Sequence, residues 1–337
     1  MSLKKPNSES GNLKNMKRFK KLIFFGLISI VVFVFLFKEI SIANIVAGFK
    51  AVDFRFSFIA LGLYIAANIF RAYRFNLILN EEISVKKFLR IVFLQNFWNV
   101  ILPFRLGEIS YVHMVHKSGV NIGQNIASLL GARIFDLLSI ITIFTIALLF
   151  SYQGIPNSAS LFLFAGSLMV LGVIFLIIFI FYSQKIVNFS EKILKKFSFY
   201  NRKILQYFIE KSKEITEGFL NFQKERKLVK VAVQSFIIWS LIFLNGFFLI
   251  KGVGIELGFW QLIFIYGLPS LVGLVPIFIL GGLGFYEGSI ILGLTLFGIN
   301  KEIATTASLI LHVQELLFVV VLAGASLFIK IIHANQS

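Results

Sequence analysis

The chain has 337 residues, of which 58% are hydrophobic, only 15% are charged and none is cysteine. A soluble domain of this length runs nearer half apolar and a quarter charged, and without cysteine there are no disulfides, thiolate metal sites or thiol catalysis. The formal net charge of +17 is unevenly placed: 24 of the 33 Lys and Arg fall in three stretches beside apolar runs, at 1–21, 71–90 and 183–230. Basic residues flanking membrane segments on the cytoplasmic side, held there by anionic lipid, account for this pattern without nucleic acid.

Residues 1–21 read as a basic cytoplasmic tail, and 22–37 (LIFFGLISIVVFVFLF) opens a membrane domain that extends to 332, followed by a short tail at 333–337. The first apolar run is long for a secretory signal, and Ser41–Ala43 offers only a weak small-residue site, so an uncleaved anchor with a cytoplasmic N-terminus is expected. Spanning a bilayer takes about 20 apolar residues at about 1.5 Å each. Spans are therefore expected near 22–42, 55–79, 126–150, 161–182, 228–250, 284–299 and 303–330. The fold class is all-α: a polytopic bundle of about seven or eight spans in the inner, cytoplasmic membrane.

Two apolar stretches depart from simple spans. The first, 88–103, is interrupted by Gln95, Asn96 and Asn99, stops at Pro103 and leads into Arg105 and Glu108. The second, 260–280, holds Pro269 and Pro276 and leads into Gly281, Gly282, Gly284, Tyr286 and Glu287. Irregular backbone at membrane depth is tolerated only where protein buries it or a wet cavity meets it, so both are read as broken or re-entrant helices. They also share an order. LPFRLGE (102–108) precedes ASLLGARIFDLL (127–138), and GGLGFYE (281–287) precedes ASLILHVQELL (307–317). An internal, inverted repeat of the transporter kind is expected, with the broken segments at the binding site. Between the halves, the basic loop 183–230 carries Ile204, Phe208, Ile215, Phe219 and Phe222 at helical spacing, which suits an interfacial helix.

FRAYRF (70–75), NVILPFRLGEIS (99–110), ASLLGARIFDLLS (127–139) and GGLGFYEGSIIL (281–292) together resemble the flippase-like membrane family that includes the transmembrane region of lysylphosphatidylglycerol synthases. The resemblance spans about 55–325. It implies a role in moving lipids between leaflets, alone or beside a soluble or membrane-bound lipid-modifying enzyme. There are departures: Tyr286 stands where the family usually has a basic residue, VPIFIL (275–280) lacks a small polar residue, and His312, Gln314 and Glu315 stand where many relatives carry Arg. No stretch of this chain matches the family's separate aminoacyl-transfer domain.

Charges within membrane segments cost about 2.5–3.5 kcal/mol each on insertion scales, so each needs a partner or a cavity. Arg133 and Asp136, three apart, can pair across a turn; alternatively Arg133 meets a lipid phosphate while Asp136 orients it. Arg105, Arg133 and the amides of Gly281, Gly282 and Gly284 are the head-group candidates, since helix starts and glycine backbone admit anions closely. Glu108, Asp136, Glu287 and Glu315 are candidates for gating or coupling. Asn96, Asn99, Pro103 and Tyr286 are candidates for the cavity wall. Arg71 and Arg74 read as snorkelling anchors at a span end, and the four histidines show no metal spacing. No cofactor or metal is expected, and the partners expected are lipids with anionic head groups. The alternatives are a membrane-embedded transferase acting on a polyprenyl or glycerolipid, for which Glu81–Glu82 is a poor metal pair, and a scaffold for such an enzyme.

Overall fold

The computed structural model describes residues 42–80, 82–102, 106–151, 158–195, 227–273 and 282–334, with isolated positions between 206 and 217. All regular structure among them is helical: α1 (Ile42–Lys50), α2 (Phe54–Ile78), α3 (Val85–Ile101), α4 (Gly107–His116), α5 (Ile122–Ser151), α6 (Ser158–Leu194), α7 (Leu228–Gly252), α8 (Phe259–Val272), α9 (Phe285–Leu296) and α10 (Lys301–Ala334). The expected first span, 22–42, and most of the proposed interfacial helix lie outside the described residues. α6 runs twelve residues past the expected end at 182, and its extension carries Glu191. There Lys213 and Lys195, at 2.6 and 3.2 Å, hold the carboxyl at about 2.

Among the described residues, four helices are long and apolar enough to cross a membrane: α2, α5, α7 and α10 over 301–327. α3, α4, α8 and α9 have 17, 10, 14 and 12 residues. At about 1.5 Å per residue, each reaches roughly 15–25 Å, short of a hydrocarbon core about 30 Å thick. The expectation of a span at 284–299 is corrected here. α9 packs along α8 just as α4 packs along α3, so each pair is a hairpin of two half-length arms. Gly282 and Gly284, both in the left-handed region at φ +85° and +84°, make the turn into α9, a conformation that a Cβ would strain.

α2 and α7 pack against each other along their length and run antiparallel. The Asp53 amide at the start of α2 donates to the Gly252 carbonyl at the end of α7, at 2.9 Å. At the opposite end, Lys227 donates to Asn80. The hairpin α3–α4 builds one apolar core with the C-terminal half of α2 and the start of α5, around Phe75, Phe88, Val92 and Tyr111. α8–α9 builds the other with α7, α10 and the far half of α5, around Phe144, Phe243, Phe264 and Leu294. Large apolar side chains that face outward, such as Phe58 at 73% exposure, suit contact with acyl chains.

Candidate functional site: a charged cavity between two hairpins

Along α2, Tyr64, Asn68, Arg71 and Arg74 recur at three- and four-residue spacing, which aligns them on one face of a mainly apolar helix. That face meets α3, α5 and α7. Arg74 is 1% exposed and donates to both oxygens of Asp136 on α5, at 2.5 and 3.1 Å, and to Ser235 Oγ on α7, at 2.6 Å. Trp239 Nε1 also donates to Asp136, at 2.8 Å. This arrangement corrects the reading of Arg74 as a snorkelling anchor. Its guanidinium is the buried tie between three helices, where each charge removes the other's cost of leaving water.

Because Arg74 and Trp239 occupy Asp136, the expected Arg133–Asp136 pair is loose, at 4.0 Å. Arg133 instead closes on Glu108 in the first turn of α4, at 2.7 Å, with the side chains 31% and 26% exposed. The third guanidinium, Arg71, donates only to the amide oxygen of Asn68, at 3.2 Å, and no carboxylate among the described residues lies at ion-pair distance. Asn68 Oδ1 also accepts from Asn96 on α3, at 2.8 Å, and Asn96 reaches the Tyr64 hydroxyl at 3.2 Å.

These groups surround a cavity of about 290 Å³. Its polar wall is Arg71, Arg74, Arg133, Asp136, Gln95, Asn96 and Asn99. Trp239, Pro269, Val272, Gly282 and Tyr286 close it from the second half of the chain. It therefore lies where the broken ends of the two hairpins approach each other. Of the residues expected at a site, Arg133, Asp136, Asn96, Asn99, Gly282 and Tyr286 line it directly, and Glu108 reaches it through Arg133. Arg105, Pro103 and Gly281 lie outside the described residues.

Behind Tyr286 sits a second polar group. Glu315 on α10 accepts from the hydroxyls of Tyr266 and Tyr286, at 2.6 and 2.9 Å. Glu287 is fully buried: one oxygen accepts the Gly284 amide at 2.7 Å, and the other meets His312 Nδ1 at 2.7 Å. The Gly284 amide, a candidate for a lipid anion, is thus already bound by the chain's own carboxylate, as a helix start with a Glu at its third position favours. His312, given no role from its spacing, is paired with that carboxylate and stacked on Tyr286, with ring centroids 4.6 Å apart. Tyr286, His312 and Glu315, three of the positions that depart from the family pattern, are therefore neighbours.

The family model described as the lysylphosphatidylglycerol synthase transmembrane region matches residues 22–324. The chain is also similar to the UPF0104 membrane protein PH1989 of Pyrococcus horikoshii, 25% identical over 279 residues that cover 77% of this chain and 82% of that protein. With the broken-helix architecture around the matched motifs, this multi-pass membrane protein belongs to the family of the lysylphosphatidylglycerol synthase transmembrane region.

Proposed function

We propose that the protein is a lipid translocase of the cell membrane, moving an amphiphile with an anionic head group between leaflets, and that the cavity between the hairpin tips receives that head group. The observation that carries this reading is the charge of the wall. Among the described residues, three guanidiniums meet two carboxylates there, Asp136 in the wall and Glu108 on Arg133, and Arg71 has no acidic partner at ion-pair distance. An unmatched guanidinium inside a membrane protein is costly unless something anionic joins it, and its planar fork suits a phosphate. The volume sits at the low end of the roughly 300–1,000 Å³ of small-ligand pockets, enough for a head group but not for acyl chains.

The helix succession supports a moving part. α2 to α5 run 25, 17, 10 and 30 residues, and α7 to α10 run 25, 14, 12 and 34. α3 packs on α10 just as α8 packs on α5, and α2 is antiparallel to α7. We read these as inverted repeats that rock about the α2–α7 pair, exposing the head-group site to each face in turn. With the N-terminus cytoplasmic, α2 then enters from outside and α10 returns the C-terminus to the cytoplasm.

The absence of cysteine makes a direct test available. A single cysteine at Val272, in the cavity wall, should react with a membrane-impermeant maleimide applied from either face. Dihexanoyl phosphatidylglycerol should protect it, and dihexanoyl phosphatidylcholine should not. Reaction from one face only, or equal protection by both lipids, would count against the reading.

A further inference from the structure

The cluster behind Tyr286 holds two carboxylates, the fully buried Glu287 and the partly buried Glu315, and among the described residues one imidazole, His312. Even with His312 protonated, one negative charge is left over. Glu315 is where it falls, because Glu287 has the histidine and Glu315 has only two tyrosine hydroxyls, with no cation at ion-pair distance among the described residues. Among the described residues, the neighbouring elements bring no second cation. α2 contributes Tyr64, packed on Phe318 with ring centroids 6.2 Å apart, and Ser57, bonded to Gln314. α7 contributes Asn245, bonded to Tyr266, and α3 contributes Asn96 on the Tyr64 hydroxyl. Across the cavity, α5 and α4 hold Arg133, Asp136 and Glu108, which are engaged with one another and with Arg74.

The cavity has the opposite imbalance. Among the described residues, Arg71, Arg74 and Arg133 face Asp136 and Glu108, which leaves one positive charge, at Arg71. Tyr286 joins the two sites, since it lines the cavity, donates to Glu315 and stacks on His312. While the cavity is empty, the surplus guanidinium and the surplus carboxylate offset each other across a medium that screens poorly. An anion on Arg71 removes that offset and leaves the cluster's charge alone, a state that hydrocarbon surroundings penalise.

We infer that the Glu287–His312–Glu315 cluster is a proton site linked to the head-group site, so that one proton is taken up for each anionic lipid bound and the two cross together without net charge. The inference rests on the proposed anionic head group. The added proton resides between Glu315 and its two tyrosine hydroxyls. Linkage then sets the sign: uptake on binding means that the anion binds more tightly as pH falls, by about tenfold per pH unit through the cluster's titration.

The experiment is calorimetric titration of the full chain in nanodiscs, in buffers of different ionisation enthalpy, which counts protons exchanged per ligand. Dihexanoyl phosphatidylglycerol is expected to bind with uptake of close to one proton, and dihexanoyl phosphatidylcholine, which carries no net charge, with none. Dimethyl phosphate, the same diester without chains, shows whether the anion alone suffices. Glu315→Gln, whose side-chain oxygen can still accept from both tyrosines, should bind the anionic lipid with no proton uptake and no pH slope. Binding without proton uptake in the wild type overturns the linkage and leaves the translocase reading standing. Uptake undiminished in Glu315→Gln, or equal for both lipids, also overturns it. A wild type that binds neither anion removes the linkage together with the head-group site.

Discussion

Replacing Arg74 with methionine is expected to cost about 3–5 kcal/mol of stability, because it leaves Asp136 charged and buried with only the loose contact to Arg133 at 4.0 Å. The effect should exceed that of any exposed basic residue, since Arg74 is 1% exposed and joins α2, α5 and α7 through Asp136 and Ser235. Asp136→Asn should also destabilise, by stranding the guanidinium. Combining Arg74→Met with Asp136→Leu should recover most of the loss, because removing both charges removes the unpaired one. Thermal unfolding of the detergent-purified protein, followed by intrinsic fluorescence, measures all three. A single variant as stable as wild type would mean that the pair is not the tie described here.

Gly246→Ala is the second large effect expected, and it touches the coupling cluster. A Cβ at Gly246 on α7 would overlap Cγ and both Cδ atoms of the Tyr266 ring on α8, which lie near the base of the side chain, where it cannot swing away. Overpacking of this kind costs about 1–3 kcal/mol. The displaced ring would also carry the Tyr266 hydroxyl off Glu315, which it meets at 2.6 Å. Gly62→Ala on α2 serves as the control. Nothing lies within 4 Å of its added methyl, so helix propensity alone should make it neutral or more stable by up to about 1 kcal/mol. Opposite signs for the two variants in the same unfolding assay are the result expected.

Much of this architecture can be read from hydropathy and backbone punctuation. The spans at 55–79, 126–150 and 228–250 match α2, α5 and α7 to within a few residues, because long runs that are mainly apolar have few alternatives to a membrane helix. Both breaks were marked by polar residues, proline and glycine. α9 was not distinguishable from a span, since its composition matches one. Its shortness follows from Gly284 before it and Gly298 after it, both at positive φ. α4 was missed because its ten residues mix polar and apolar side chains without a membrane-length run.

The wall of the candidate cavity was legible as a set of residues and less so as a set of pairs. The i, i+3 rule pointed Arg133 at Asp136, but Arg74, 62 residues earlier in the chain, claims that carboxylate. No local rule reaches that far. Arg74 looked like an anchor because a charge near a span end reads the same whether it snorkels or pairs. The recurrence of Tyr64, Asn68, Arg71 and Arg74 on one helical face was the signal available for an inward-facing stripe. His312 was passed over for want of metal spacing, when its partner is a single carboxylate on another helix.

Translocation in proteoliposomes is the decisive measurement for the head-group site. Head-group-labelled phosphatidylglycerol and phosphatidylcholine would be followed by an impermeant quencher, with wild type beside Arg71→Gln at matched reconstitution. The account predicts protein-dependent movement of the anionic lipid in preference to the zwitterionic one. It also predicts a loss of about 10–100-fold in Arg71→Gln, the worth of a hydrogen bond to a charged group. Rates no faster than in protein-free vesicles, or an Arg71→Gln variant as fast and as selective as wild type, would contradict it.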